Sequence, residues 1–268
     1  MTEATLTTSL DERAPHASPW RFVHVVRRNY LVWRKLLGAA LVGQLADPLI
    51  WLVGLGFGLG SLLPSIGGLS YMAFLGSGML CYSVMNSASF EGLWSAFTRL
   101  KTQRTWEAIL QAPMTISDIV IGEWVWAALK GGVSGLAILL VMALLGLVES
   151  FAALWVLPIV MLVGLSFAGL ALIVTALAKA YDLFTYYFSL FIMPMMLISG
   201  VFFPSEQLPK AVQFVAQMLP LAHATTLARG LVVGAPLDNI PLHVAVLVIY
   251  AAGTVVIATK LVQKRLAK

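Results

Sequence analysis

The chain alternates between long apolar runs and short polar joints. Six runs stand out, at residues 36–62, 71–90, 119–147, 151–178, 183–203 and 242–261. A helix needs about 20 apolar residues to cross the ~30 Å hydrocarbon of a bilayer, and each run is near or above that length. The pattern therefore predicts an all-α integral membrane protein with six transmembrane helices. The outer half of the first run reads GLGFGLG, placing Gly54 with Gly58 and Gly56 with Gly60 at the small-xxx-small spacing of close helix packing.

Four segments depart from this alternation. Residues 1–19 are polar, contain Pro15 and Pro19, and predict a disordered tail. Residues 20–35 place Arg21, His24, Arg28 and Lys35 on one helical face and Phe22, Val26, Tyr30 and Trp33 on the other, the pattern of an amphipathic interfacial helix. The joint at residues 90–118 keeps helical spacing through Phe90, Leu93, Trp94, Phe97 and Leu100, then Trp106, Ile109 and Leu110. It also carries Arg99, Lys101 and Arg104, so a basic helix is expected along the cytoplasmic surface. Pro113 ends it, and Ser117 with Asp118 can cap the helix that follows. The fourth departure, residues 204–241, holds Pro204, Pro209, Pro220, Pro236 and Pro241 around the apolar AVQFVAQML. A short apolar stretch bounded by prolines suits a re-entrant segment better than a crossing.

Composition agrees with the pattern. The 268 residues are 60% hydrophobic and 11% charged, with a mean hydropathy of +0.90, whereas a soluble domain carries about 25% charged residues. The net charge of +5 does not call for nucleic acid. Fourteen of the 17 Lys and Arg fall before the first run, in the 90–118 joint, at Lys179 and at the C-terminal end. By the positive-inside rule these segments, and both termini, face the cytoplasm. The single cysteine, Cys81, excludes an intrachain disulfide.

Candidate chemistry is sparse. No G-x-x-x-x-G-K-[ST] occurs, so ATP hydrolysis by a P-loop is excluded, and the four histidines show no metal-ligand spacing. The polar residues within the runs are Gln44, Asp47, Glu123 and Lys130. Intramembrane charges need partners. Asp47 and Lys130 each lie 12 residues into their runs, about 18 Å deep, which makes them an expected ion pair. The alternative is that Asp47 bonds the backbone freed by Pro48.

Three stretches carry a family resemblance: ADPLIWLVGLGFGLG in the first run, RTWEAILQAPMTISDIVIGE in the cytoplasmic joint, and SGVFFPSEQLPKAVQFVAQMLPLAHATTLARGL after the fifth run. Together they resemble the ABC-2 type permeases, closest to the NodJ-type permeases of nodulation-factor (lipo-oligosaccharide) export, over about residues 20–264. The resemblance implies a transmembrane domain at residues 36–264 in the bacterial inner membrane, with a coupling helix at about 98–112 and a re-entrant region at about 204–241. It implies a homodimer of permeases served by two copies of a separate NodI-type ABC ATPase, which would bind ATP and Mg. No cofactor or metal is implied in this chain.

On the same basis Arg99, Lys101, Arg104, Thr105, Trp106, Glu107 and Ile109 are expected to contact the ATPase, with Trp106 and Ile109 in its groove. Pro204, Pro209, Phe214, Pro220 and Arg229 are expected at the exit. The function implied is export of an amphiphilic, lipid-linked or lipo-oligosaccharide substrate from among membrane lipids. A hydrophobic-drug exporter and a non-transporting membrane scaffold are the alternatives.

Overall fold

A computed structural model describes residues 20–63, 65–149 and 151–267. The side chains of residues 39–41, 44 and 45 lie outside the described residues, so the expectation for Gln44 does too, as does the one for the 1–19 tail.

The architecture is all-helical, apart from a two-residue hairpin. Helix α1 (Phe22–Trp33) leads through a short 3-10 turn into α2 (Leu37–Gly58). Ser65–Ile66 then pairs antiparallel with Leu69–Ser70. The joining residues Gly67 and Gly68 both have positive φ (59° and 83°), which a tight two-residue turn requires and glycine permits. The Ser70 hydroxyl accepts from the Ala73 amide and caps α3 (Tyr71–Phe90).

Helix α3 does not stop at its expected boundary. It runs on through two π-helical turns, Glu91–Ser95 and Thr98–Thr102. The direction breaks only at Arg104, a non-glycine residue in the left-handed region (φ 49°), and a short helix α4 (Thr105–Ile109) follows. The expected continuous surface helix is thus an inward extension of α3, a break, and one separate turn and a half.

Helix α5 (Ile116–Leu144) opens on a capping box, and the expected Ser117 cap is corrected by it. Thr115 Oγ1 accepts from the Asp118 amide at 3.1 Å, and Asp118 Oδ2 accepts from the Thr115 amide at 2.9 Å. After it come α6 (Val156–Leu177), then α7 (Asp182–Tyr187) and α8 (Met193–Ile198) joined by a π turn. Next are α9 (Lys210–Ala216), α10 (Pro220–Val233) and α11 (Ile240–Leu266). Among the described residues three helices are long and apolar enough to cross a membrane: Ile116–Leu144, Phe151–Leu177 (which includes the 3-10 turn before α6) and Ile240–Leu266. The 14 residues of α10 extend only about 21 Å and the seven of α9 about 10 Å, short of a crossing.

The core lies between α3, α5, α6, α10 and α11, where Leu75, Met79, Val84, Val163, Phe167 and Leu227 are buried. Without an aqueous hydrophobic drive between helices in lipid, close backbone approach and dispersion hold such a bundle. Gly169 on α6 is a tight example, since a Cβ there would lie 2.0 Å from Thr254 Oγ1 on α11. The first-run glycines do less within the chain than their spacing suggested. Gly56 meets Met72, but Gly54 and Gly58 have nothing within 4 Å.

Candidate functional site

Where the extension of α3 passes α5, four ionisable side chains meet in the interior. Glu91 Oε1 accepts from Arg99 Nη2 at 2.8 Å, and Glu91 Oε2 accepts from Lys130 Nζ at 2.7 Å. Glu123 accepts from Arg99 Nε at 2.8 Å and from Arg99 Nη2 as well. Glu91 and Glu123 are 2% and 1% exposed. Two anions and two cations therefore compensate one another in a buried setting, which a lone charge would not survive. Neutral donors complete the shell. Trp126 Nε1 bonds Glu91 Oε1 (3.0 Å), Trp106 Nε1 bonds Glu123 Oε1 (3.2 Å), and Asn29 Nδ2 bonds Glu123 Oε2 (3.2 Å).

This network ties four elements together: α1 through Asn29, the α3 extension through Glu91 and Arg99, α4 through Trp106, and α5 through Glu123 and Lys130. Apolar packing reinforces it. Val25 of α1 sits where a Cβ on Gly122 of α5 would lie 2.5 Å away, and Trp33 stands edge-on to Trp126 at 5.9 Å. Helix α1 is thus docked on α5 through Val25 and Asn29, instead of lying free on its aromatic face. Arg21 Nη1 also reaches the Pro113 carbonyl, across the joint from α1. A cleft of about 380 Å³ opens between α1 and the α3 extension, with Arg28, Trp33, Trp94, Arg99 and Lys130 among its walls.

Several expected sites move. Asp47 and Lys130 do not pair. Asp47 accepts from Trp51 Nε1 (3.1 Å) and Tyr82 Oη (3.0 Å), while Lys130 is held by Glu91. Trp106, expected in a partner's groove, is fully buried and bonded to Glu123. Ile109 is half-buried against a second apolar cluster that includes Trp106, Ile119 and Val262. Arg99 faces the interior network. Lys101 is exposed, bonds the Lys179 carbonyl and lies 5.7 Å from the Phe97 ring. Thr105 accepts weakly from Arg28 at 3.5 Å. Arg104 and Glu107 remain on the surface.

The proline-bounded region gathers a second site at the far end of α3. Ser77 and Glu91 are 14 residues apart, about 21 Å along the helix. Arg229 of α10 donates from Nε to Ser77 Oγ (3.2 Å) and from Nη2 to the Gly200 carbonyl (2.7 Å) and the Phe74 carbonyl (3.4 Å). Its guanidinium carbon lies 3.6 Å from the Phe74 ring centre. Pro220 occupies the first turn of α10, where its missing N–H is harmless. Pro204 lines the adjoining pocket, Pro209 is exposed before α9, and Phe214 projects outward at 62% exposure. Glu91, Asn29, Trp126 and the facing His223 and His243 were not among the expected site residues. Glu91 was the one with a signal, as the first charge after 20 uncharged residues of α3.

An all-helical bundle with three membrane-length apolar helices and a charge-compensated interior defines an integral membrane protein; among the described residues no three or more His, Cys, Asp or Glu cluster to hold a metal ion. The sequence model of the ABC-2 type transporter family matches residues 21–233, and the chain belongs to that family. It is 46% identical over 250 residues to nodulation protein J of Rhizobium meliloti (strain 1021), covering 93% of this chain and 95% of that protein. It is 47% identical over 242 residues to nodulation protein J of Rhizobium leguminosarum bv. viciae, covering 90% and 93%. A more distant relative, nodulation protein J of Azorhizobium caulinodans, is 32% identical over 242 residues, covering 90% and 95%.

Proposed function

We propose that this chain is the membrane subunit of an ATP-driven exporter that moves an amphiphilic lipo-oligosaccharide or lipid-linked glycan out across the bacterial inner membrane. The observation that carries this reading is the relationship to nodulation protein J over 88–93% of the chain, at 43–47% identity in six relatives. Six spans with both termini in the cytoplasm accord with the basic residues of the 20–35 and 90–118 segments and the C-terminal end. Two copies form the pathway, and the open small-residue face of α2 at Gly54 and Gly58 gives a second copy room for close approach. Two copies of a separate ABC ATPase supply hydrolysis.

The coupling surface is the exposed edge of α4, with Arg104, Glu107 and Ala108 outward. Trp106, seated behind that edge and bonded to Glu123, passes its displacement to α5 and, through Asn29, to α1. Trp106 is therefore a transmitting residue, not a contact residue.

Purified permease–ATPase complex in lipid tests this. Lipo-oligosaccharide should stimulate ATP hydrolysis, and an aromatic drug should not. Charge reversal at both Arg104 and Glu107 should weaken ATPase retention while the permease stays folded. Stimulation by the drug alone would make the chain a drug exporter, and no retained ATPase at all would make it a scaffold.

A further inference from the structure

The pocket beside Arg229 has no part in coupling, and its chemistry is distinctive. Its volume is about 440 Å³, within the usual range of ligand sites, and its walls include Ser199, Glu206, Gln213, His223, Arg229 and His243. Three observations point to one kind of occupant. First, Arg229 is a largely buried cation without a carboxylate within 4 Å among the described residues, in contrast to Arg99 and Lys130. Its charge is met only by a hydroxyl, two carbonyls and an aromatic face, which solvate a cation but do not neutralise it. Second, the Ser199 hydroxyl is buried without any hydrogen-bond partner, although Ser199 is 1% exposed and lines the pocket. An unsatisfied buried hydroxyl is destabilising unless something supplies the bond. Third, the backbone is shaped around this point. Gly200 takes φ +73°, which turns its carbonyl onto Arg229, while Thr225 Oγ1 bonds the Ser199 carbonyl at 2.7 Å and fixes that turn.

We propose that this pocket binds an anionic phosphate group, with Arg229 as its counter-ion and the Ser199 hydroxyl as a donor. A guanidinium and a hydroxyl suit phosphate oxygens as charge-assisted donors. The exposed apolar side chains Phe214 (62%) and Val215 (48%) of α9 and Met218 (54%) just after it border the same region and provide a surface for acyl chains. Glu206 stands at the rim as the opposing charge. It repels an anion, so its removal tightens binding. The proposal concerns this pocket alone and holds whether or not the chain is an exporter.

The same chemistry is offered by an anionic phospholipid headgroup and by free phosphate. Purified full-length protein is placed in nanodiscs of mixed phosphatidylglycerol and phosphatidylcholine, and retained lipids are counted by native mass spectrometry. A second arm titrates inorganic phosphate into phosphatidylcholine nanodiscs and follows thermal unfolding. Preferential retention of phosphatidylglycerol identifies a headgroup site, and a phosphate-dependent rise in melting temperature identifies a free-phosphate site. Either supports the proposal provided that it depends on the pocket. Arg229→Gln should weaken the effect roughly tenfold, about the loss of one charge-assisted contact. Should that variant fold poorly, Ser199→Ala decides, because its hydroxyl has no partner to lose; it should fold normally and bind a few-fold more weakly. Glu206→Gln should bind a few-fold more tightly. No preference in either arm, or an effect unchanged in Ser199→Ala and Glu206→Gln, overturns the proposal.

Discussion

Glu123→Gln is the most informative single change in the charge network. Glu123 receives hydrogen bonds only from donors: Arg99 Nε, Arg99 Nη2, Trp106 Nε1 and Asn29 Nδ2. A glutamine keeps one acceptor oxygen but turns an NH₂ group toward the other donors, and it leaves the interior with an uncompensated cation. Breaking a buried pair in this way costs about 3–5 kcal/mol. Arg99→Met alone has the opposite defect, leaving Glu91 and Glu123 with only Lys130 between them. The double change restores neutrality, because the Glu91–Lys130 pair at 2.7 Å remains intact. The two losses should therefore be less than additive, by about 1–3 kcal/mol. The assay is reversible unfolding in mixed micelles, with all four proteins compared by denaturant midpoint. Strictly additive losses, or a single change costing less than about 1 kcal/mol, would refute the view that this cluster acts as one compensated unit.

Further outcomes follow from other contacts. Trp106→Phe keeps most of the packing but strands one Glu123 lone pair, so it should lose about 1–3 kcal/mol, with Trp106→Ala losing about 3–5 kcal/mol by the same unfolding assay. Gly169→Ala would drive a Cβ to within 2.0 Å of Thr254 Oγ1 and should cost about 1–3 kcal/mol by overpacking; the same change at Gly253, with open space around it, should be near neutral. Gly54→Cys in a Cys81→Ala background should cross-link two copies on mild oxidation, and a monomer-only product would contradict the α2 pairing.

The membrane class, the three runs that form membrane-length helices, and the short proline-bounded helices were legible because lipid leaves so few backbone solutions. The charge partners were not. Counting 12 residues from each cytoplasmic boundary put Asp47 and Lys130 at equal depth, but it treated Glu91 as part of a surface joint. Because α3 continues through Thr102, Glu91 lies 11 residues, about 16 Å, inside that end, and Lys130 lies 14 residues, about 21 Å, inside the start of α5. Those depths differ by about one helical turn, which the long Lys130 side chain spans to reach Glu91. Trp106 misled for a related reason. An aromatic residue on an amphipathic surface helix reads as an anchor for a partner, yet the left-handed break at Arg104 turns α4 so that the indole points back to Glu123. Periodicity along a chain carries no information about such a break. The Gly54/Gly58 spacing reads as permission for close approach, but the chain's own helices leave that face open.

The central claim, ATP-driven movement of an amphiphile through this chain, is tested most directly in inside-out membrane vesicles. The vesicles carry this permease with a NodI-type ABC ATPase, and a labelled lipo-oligosaccharide is supplied outside with ATP. The account predicts accumulation that needs both proteins and stops with a non-hydrolysable ATP analogue. Uptake that proceeds equally without the ATPase, or none at all from a complex that hydrolyses ATP, would contradict it.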